Sequence, residues 1–418
     1  MSTPTPADAV WPVSTRQAAR IEESLAGTQL SLIDVRFTVP WECSKRDLDA
    51  AATALVRRHA ALRSRFVPVA GGWEVHIDPA LDMVVTLFES EFVRPAGLEN
   101  RELHTLEPPL AWFFAAERSG RFEFVMLLEH CVSDGDSVET LVRDFLTLVA
   151  ESLRPGEASL GPVLGRPYGD FVLQESEILA SSKLQVARDA WVKMFDGTPV
   201  TRGVPAEYWS PTLAGELCAV RGVLSAAELA ALRAACARYR TTTAAVFLAA
   251  VASAFMDQFA TTEFVCTVPV NARTKQDRDT VGYYINLMPL RVSWPVGTPP
   301  ADRVDQARKA LVNLLMYRAV PGVRILEDPR LAVAGQADAP VVLIQGAETT
   351  AVEVLGHRVA VDDGHGTREE LGLTVRIVEG TAPSAVVDYD PGRFGRDVPE
   401  AVLRQVKGWI ARLGEVEL

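Results

Sequence analysis

The chain has 418 residues, of which 48% are hydrophobic and 23% are charged, and its formal net charge is −12. This composition predicts a globular protein with a large apolar core and excludes disordered and fibrous chains. The negative charge argues against a nucleic-acid partner, since phosphates attract basic surfaces. The five cysteines are scattered and form no C-x-x-C pair, so we expect reduced thiols instead of a disulfide framework or a zinc site.

The first residues and the apolar runs bear on localisation. Residues 1–10 contain neither the basic flank nor the apolar run of a signal peptide. The longest apolar run, residues 244–256, is shorter than the roughly 20 residues that span a bilayer. We therefore expect a cytoplasmic protein without a membrane partner.

The first half of the chain predicts two helices around a buried strand. Residues 44–66 are predicted to form an amphipathic helix, with Ser44 as its cap and Asp47 three residues later. The apolar run 122–128 predicts a buried strand, and the spacing of apolar residues over 137–153 predicts a second helix. The turn HCVSDG, residues 130–135, separates that strand from that helix.

The Pro- and Gly-rich segment 154–168 is predicted to connect two halves of the chain. We therefore divide the chain into an N-terminal lobe, residues 1–165, and a C-terminal lobe, residues 166–418. The elements predicted in the second lobe are helices over 225–239, 243–259 and 398–413, strands over 264–270, 282–292 and 371–378, and an acidic loop at 388–390. Strands and helices do not alternate regularly, which favours mixed α/β sandwiches.

His130 is the candidate for chemistry that the residues themselves suggest. The chain has no G-x-S-x-G elbow, P-loop, dinucleotide-binding G-x-G-x-x-G or H-E-x-x-H motif, and only six histidines. His130 stands at the end of the buried strand, four residues before Asp134 and Gly135. A neutral imidazole there could deprotonate an attacking amine or hydroxyl. Alternation along the strand places Glu129 and His130 on opposite faces. Alone, so short a pattern more often marks a strand-end histidine bonded to backbone.

Five segments that follow one another along the chain favour a functional role for His130 over a purely structural one. They are HAALRSRF (59–66), EHCVSDGDS (129–137), PYGDF (167–171) followed by Trp191, VPVNAR (268–273) and GYYINLMPLR (282–291). In this order they resemble the motifs of the condensation domains of non-ribosomal peptide synthetases, of which His-His-x-x-x-Asp-Gly is the central one. Each match is weak alone, but five in the right order are specific.

The resemblance implies a fold and a set of site residues. The fold would be α/β, with two chloramphenicol-acetyltransferase-like sandwich lobes that form a V-shaped pseudo-dimer around an active-site tunnel. The catalytic motif would consist of His130, Asp134 and Gly135, and Arg273 would give structural support by pairing with Asp134 across the lobe interface. Glu129, Ser137 and Asn286 are predicted to line the substrate channel, and no metal is expected.

The resemblance also implies a reaction and partners. We expect a stand-alone condensation enzyme that joins a carrier-bound acyl or aminoacyl group to a free or carrier-bound amine or hydroxyl nucleophile. No tightly bound cofactor is expected, because phosphopantetheine would arrive on a peptidyl or acyl carrier protein in trans. Glu129 replaces the first motif histidine, and Asp136 replaces a tryptophan common after the motif glycine. An acyl-CoA-dependent acyltransferase and a non-catalytic recruitment domain are the alternatives.

Overall fold

The structure is a computed structural model of the 418-residue chain. It describes residues 9–25, 32–79, 82–89, 91–93, 110–157, 159–163, 165–196, 204, 208, 210, 218–331, 341–347, 350–362, 373–379 and 383–415.

The described strands, in chain order, are β1 (Val10–Pro12), β2 (Leu32–Thr38), β3 (Ser64–Val69), β4 (Gly72–Ile77), β5 (Thr86–Leu87), β6 (Ala111–Arg118), β7 (Arg121–Glu129), β8 (Cys218–Val223), β9 (Glu263–Asn271), β10 (Ile285–Ser293), β11 (Val341–Ala347), β12 (Thr350–Val354), β13 (His357–Asp362), β14 (Leu373–Glu379) and β15 (Ser384–Tyr389). The described α-helices are α1 (Thr15–Leu25), α2 (Lys45–Arg58), α3 (Gly135–Leu153), α4 (Tyr168–Ala180), α5 (Ser182–Phe195), α6 (Ala226–Arg238), α7 (Thr243–Phe259), α8 (Pro300–Met316), α9 (Gly322–Leu326) and α10 (Asp397–Gly414).

The chain folds as two compact units that interleave in sequence. The first unit comprises Met1–Glu177, Ala272–Ile285 and Thr349–Arg368, and the second comprises the remaining segments. This differs from the sequence-based division at residue 165, because two later segments belong to the first unit. The reason for one of them is strand pairing: β13 hydrogen-bonds to β2, so the β12–β13 hairpin extends the sheet of the first unit.

The first unit is built on a mixed sheet whose order, among the described residues, is β12-β13-β2-β7-β6-β5. The central strand β7 pairs antiparallel with β2 and β6. Phe124 of β7 and Phe145 of α3 stack with their ring centroids 4.3 Å apart. This packing of α3 against the sheet fixes the path of the chain between β7 and α3, where His130 lies.

The second unit has its own sheet and core. Its strand order, among the described residues, is β10-β9-β11-β14-β15-β8. The alanine-rich helix α7 is almost entirely buried and packs with α6, α8 and α10. Trp191 of α5 is fully buried and donates its indole N–H to the carbonyl of Pro289 in β10 at 2.9 Å. Both units are thus mixed α/β layers, as predicted.

Three predicted elements differ from the structure in their bounds or type. The helix predicted over 44–66 ends at Arg58, since His59 is extended and the chain continues as a 3₁₀ turn and then β3. The strand predicted over 282–292 begins at Ile285. The predicted acidic loop at 388–390 is wrong for Asp388 and Tyr389, which both lie in β15, and Asp388 pairs bidentately with Arg376 of β14 at 2.6 and 2.9 Å. Residues 371 and 372 of the strand predicted over 371–378 lie outside the described residues.

Among the described residues, no single helix has the length and apolar character to cross a membrane. The helices α6 and α7 pass that test only as a pair bent by 113°.

Candidate active site

His130 begins a short 3₁₀ turn, His130–Val132, between the end of β7 and the start of α3. The backbone N–H of Glu129 still donates to the carbonyl of Leu110, and the strand ends where the following residues turn, with the N–H of Ser133 donating to the carbonyl of His130. The helix begins at Gly135 because Asp134 is its N-cap and accepts the backbone N–H of Ser137 at 3.0 Å. The predicted turn is therefore confirmed, and the helix starts two residues earlier than its apolar spacing indicates.

The imidazole of His130 is held by the turn itself. Its Nδ1 lies 2.9 Å from the backbone carbonyl oxygen of Ser133. Since a carbonyl oxygen only accepts, Nδ1 carries the hydrogen, and in the neutral ring Nε2 keeps the basic lone pair. The ring also packs edge-on against Tyr283 at a centroid distance of 5.3 Å, and the residue is partly exposed. The geometry therefore orients a basic nitrogen away from the turn.

Asp134 is fully buried and accepts hydrogen bonds at both carboxylate oxygens. Its Oδ1 accepts from the backbone N–H of Ser137 and lies 2.8 Å from that residue's hydroxyl. Its Oδ2 accepts from Arg273 Nη1 at 2.5 Å and from the backbone N–H of Tyr284 at 3.0 Å. A buried carboxylate needs such partners, and two of these four donors, from Arg273 and Tyr284, join the start of α3 to the segment Ala272–Ile285.

Arg273 is the cation of this network, and its side chain is 7% exposed. Its Nη2 donates to the hydroxyl of Ser137 at 2.8 Å and to the carbonyl of Thr280 at 3.1 Å, and its guanidinium lies over the ring of Tyr284 at 4.0 Å. Burial alone would lower the pKa of Arg273, but the charge of Asp134 raises it above the ordinary value. The guanidinium is therefore firmly cationic.

The predicted pair of Asp134 and Arg273 is present in the structure, but its placement corrects the sequence analysis. The resemblance places Arg273 across the lobe interface, in the C-terminal lobe. It lies in the same compact unit as Asp134, because Ala272–Ile285 packs with the first unit.

Three residues near this network were not assigned a role from the sequence. Tyr283 contacts the His130 ring, and its carbonyl accepts the hydroxyl of Tyr168 at 2.7 Å. A Cβ at Gly282 would lie 2.2 Å from the ring of Tyr168, so the chain passes too close for any side chain. The sequence identifies the GYYIN segment only as a motif match. Its contacts could not be predicted, because the way this segment lies against α3 depends on tertiary structure.

The remaining predicted site residues have distinct surroundings. Ser137, predicted to line the channel, is fully buried inside the Asp134–Arg273 network. Glu129 is 2% exposed and lies on the same face of β7 as Val125 and Leu127. The even-numbered residues of β7, from Phe122 to Leu128, lie on the other face and pack in the larger hydrophobic core of the first unit. Gly135 is exposed, and a Cβ atom added to it would have no described atom of another residue within 4 Å, its two chain neighbours and the backbone of its own helix aside.

Asn286 belongs to the second unit and is 1% exposed. Its amide nitrogen donates to the carbonyls of Arg318 and Val320, and its Oδ1 accepts from the backbone N–H of Gly322 at 2.9 Å. These bonds join β10 to the chain that enters α9. Its predicted place in a substrate channel stays a prediction.

A second buried polar cluster joins the end of α2 to α3. His59, which ends α2, places Nε2 at 3.0 Å from Asp144 Oδ2, and Arg58 donates to the same oxygen at 2.7 Å. Burial lowers the pKa of His59, and the nearby cations Arg58 and Arg143 lower it further against the pull of Asp144. The contact is thus a hydrogen bond from a neutral imidazole, with Arg58 as the counter-ion of Asp144.

The described residues contain no group of three or more His, Cys, Asp or Glu side chains that could hold a metal ion. Two of the cysteines, Cys131 and Cys266, are buried, and burial raises the pKa of both thiols. Cys131, next to His130, therefore packs as a protonated thiol.

The fold and the H-x-x-x-D-G turn define a protein of the condensation class. The sequence model of the family described as "Condensation domain" matches residues 103–341, and the chain belongs to that family. The predicted resemblance and the chloramphenicol-acetyltransferase-like α/β fold are confirmed.

Individual relatives agree with the family. Gramicidin S synthase 2 of Aneurinibacillus migulanus is 26% identical over 223 residues, which cover 50% of this chain and 5% of that synthase. The first condensation domain of the calcium-dependent antibiotic synthetase has a TM-score of 0.75 at 18% identity, covering 98% of this chain and 97% of that one. The X-domain from teicoplanin biosynthesis has a TM-score of 0.80 at 18% identity, covering 99% and 96%, and has also been solved in complex with OxyB.

Proposed function

We propose that this chain is a condensation enzyme that transfers an acyl or aminoacyl group from a carrier-bound thioester to an amine or hydroxyl nucleophile. The observation that carries the proposal is the hydrogen bond from His130 Nδ1 to the carbonyl of Ser133, which leaves Nε2 as the basic nitrogen. Family membership supports the proposed substrate class, since curated relatives that match this chain include a nonribosomal peptide synthetase and a gramicidin S synthase.

In the proposed reaction, His130 Nε2 accepts a proton from the attacking amine or hydroxyl, or holds it by a hydrogen bond. The nucleophile forms a bond to the thioester carbonyl carbon, and the carbon–sulfur bond breaks. The thiol of the phosphopantetheine arm leaves with the proton, and His130 returns to its neutral form. The phosphopantetheine arrives with the carrier protein as part of the substrate.

Asp134 and Arg273 act as positioning residues in this proposal. Neither needs to contact substrate, because their hydrogen bonds are made with each other, with Ser137 and with the backbone of Tyr284. They fix the start of α3 and the segment that carries Tyr283, and these two elements hold the His130 ring.

The proposal is tested by replacing His130. His130→Ala should slow product formation by about 10²–10⁴-fold, the usual range for a general acid or base. Carrier proteins loaded with acyl and aminoacyl groups would be incubated with candidate nucleophiles and followed by intact-protein mass spectrometry. His76→Ala is the matched control, since His76 is a partly exposed histidine of β4 in the same unit.

A non-catalytic recruitment domain is the second candidate. It is favoured by Glu129 in place of the first motif histidine, by Asp136 after the motif glycine, and by the likeness of the fold to an X-domain solved with OxyB. A folded His130→Ala protein that forms product as fast as the wild type would remove His130 from the chemistry and favour recruitment. Free-standing action with carriers in trans stays a prediction.

A further inference from the structure

A cavity of about 420 Å³ lies within the first unit, in the size range of small-molecule sites. The C-terminal end of α2 forms one wall, and the segment leading into α4 and residues Thr280 and Val281 form the others. Its apolar lining includes Ala54, Ala60, Pro162, Val163 and Val281.

The charged residues that line this cavity are all arginines. Arg57, Arg58 and Arg166 contribute to the lining, and among the described lining residues none is acidic. Arg58 is bonded to Asp144, and Arg166 is bonded through two nitrogens to Asp277, so buried aspartates behind the wall balance these two charges.

Arg57 differs from the other two arginines. Its partner Asp82 is 84% exposed at the side chain, and Arg57 itself is 58% exposed. An exposed ion pair contributes little to stability, so Arg57 can exchange Asp82 for another carboxylate at small cost. A guanidinium also binds a carboxylate through two parallel hydrogen bonds.

We infer that this cavity binds a small amphipathic carboxylate, with its apolar chain among the alanine, proline and valine side chains and its head group on Arg57. The occupant is an aryl or medium-chain acyl carboxylate. His130 is not among the described residues that line this cavity, so the existence of the site does not depend on His130 being catalytic.

Two lining residues also connect the cavity to the Asp134–Arg273 network. Thr280 donates its hydroxyl to the carbonyl of Arg166 at 2.7 Å, and its own carbonyl accepts from Arg273. Tyr168 donates to the carbonyl of Tyr283, whose ring contacts His130. A ligand that packs on Thr280 and Tyr168 therefore stabilises the segment that positions His130, which makes the cavity a regulatory site.

The binding test uses octanoate, below its micelle concentration, in calorimetric titrations of the full chain. We expect saturable binding with one octanoate per chain. Arg57→Gln should weaken it by about tenfold or more, because a charge-assisted hydrogen bond is lost. Ala54→Phe, which fills the cavity from α2, should abolish it. Arg46→Gln is the matched control, an exposed arginine of the same helix outside the cavity, and should bind like the wild type.

Neutral octanamide separates charge recognition from simple apolar binding, and it should bind at least tenfold more weakly than octanoate. Equal affinity for octanamide, unchanged binding by Ala54→Phe, or no saturable binding to the wild type would each overturn the site. Circular dichroism checks folding, and Arg57→Gln keeps the test valid if Ala54→Phe does not fold, since Arg57 is exposed.

The coupling to the network has its own readout. The backbone N–H groups of Gly282 and Tyr284 donate to Ser137 and Asp134, so octanoate should slow their hydrogen exchange by at least twofold in the wild type and not in Ala54→Phe. Saturable binding without slower exchange at these amides would overturn the regulatory role. Neither measurement depends on turnover, so failure of the condensation proposal would not affect them.

Discussion

At the scale of single residues, Asp134 has more structural functions than the H-x-x-x-D-G pattern indicates. One oxygen caps α3 through Ser137, and the other binds Arg273 and the backbone of Tyr284. The sequence predicts the partnership with Arg273 only through the family resemblance, because 139 residues separate the two in sequence. The cap could be predicted locally, since aspartate is a preferred N-cap residue.

Replacing Arg273 should reveal how much the fold depends on this network. Arg273→Ala leaves a fully buried carboxylate without its cation, so the free energy of unfolding should fall by about 3–5 kcal/mol. Chemical denaturation followed by circular dichroism measures the loss. Arg278→Ala is the control, since Arg278 is an exposed arginine of the same segment and should change stability by less than about 0.5 kcal/mol.

The double variant Asp134→Asn with Arg273→Ala distinguishes charge from packing. It removes the uncompensated charge, so it should be more stable than Arg273→Ala alone. A double variant as unstable as the sum of the two single variants would show that the pair contributes through packing and not through charge.

At the scale of elements, the bounds of the predicted helices lie within two residues of those in the structure, except at the end of α2. The capping box of Ser44 and Asp47 is present as predicted, and the helix predicted over 243–259 has these bounds in the structure. Local cap chemistry decides such starts. The end of α2 could not be predicted, because apolar spacing continues through Leu62. His59 has an extended backbone, and its side chain bonds to the buried Asp144 of α3. Nothing in the sequence near residue 59 indicates this contact, because Asp144 is distant in sequence.

The contact between α2 and α3 predicts a pH dependence of stability. His59 has a folded-state pKa below its ordinary value of 6.5, so below pH 6.5 the unfolded chain binds a proton that the folded chain does not. The free energy of unfolding should therefore decrease as pH falls from 7.5 to 5.5, by at most about 1.4 kcal/mol per pH unit from this group. The lowered pKa of Asp144 acts only at still lower pH, below its ordinary 3.8.

Denaturation midpoints and slopes at pH 7.5, 6.5 and 5.5 would test this expectation in the wild type and in His59→Gln. The variant should be less stable at pH 7.5 but should lose less stability on acidification. His76→Gln, which alters a partly exposed histidine outside the contact between α2 and α3, is the control variant. Equal slopes in His59→Gln and the wild type would contradict a neutral, buried His59.

At the scale of the whole molecule, the interleaving of the two units is what sequence patterns could not predict. The Pro- and Gly-rich segment 154–168 suggested a boundary at residue 165, and turn residues are a reasonable guide to connections. The first unit nevertheless includes Ala272–Ile285 and Thr349–Arg368. The first of these provides the counter-ion of Asp134, and the second provides the hairpin that pairs with β2. Such returns are fixed by buried charge and strand pairing between residues far apart in sequence.

This interleaving predicts that the first unit cannot fold from its N-terminal segment alone. A fragment of residues 1–177 lacks Arg273, so Asp134 would be buried without a cation, and it lacks β13, so β2 would become an unpaired edge. We expect the fragment to show no cooperative transition in urea by circular dichroism, whereas the full chain does. The full-length Arg273→Ala variant is the matched control, because it removes the cation but keeps β13 and should still unfold cooperatively at lower urea. A fragment that unfolds cooperatively near the urea midpoint of the full chain would contradict this prediction. It would show that residues 1–177 form a stable domain without Ala272–Ile285 and Thr349–Arg368.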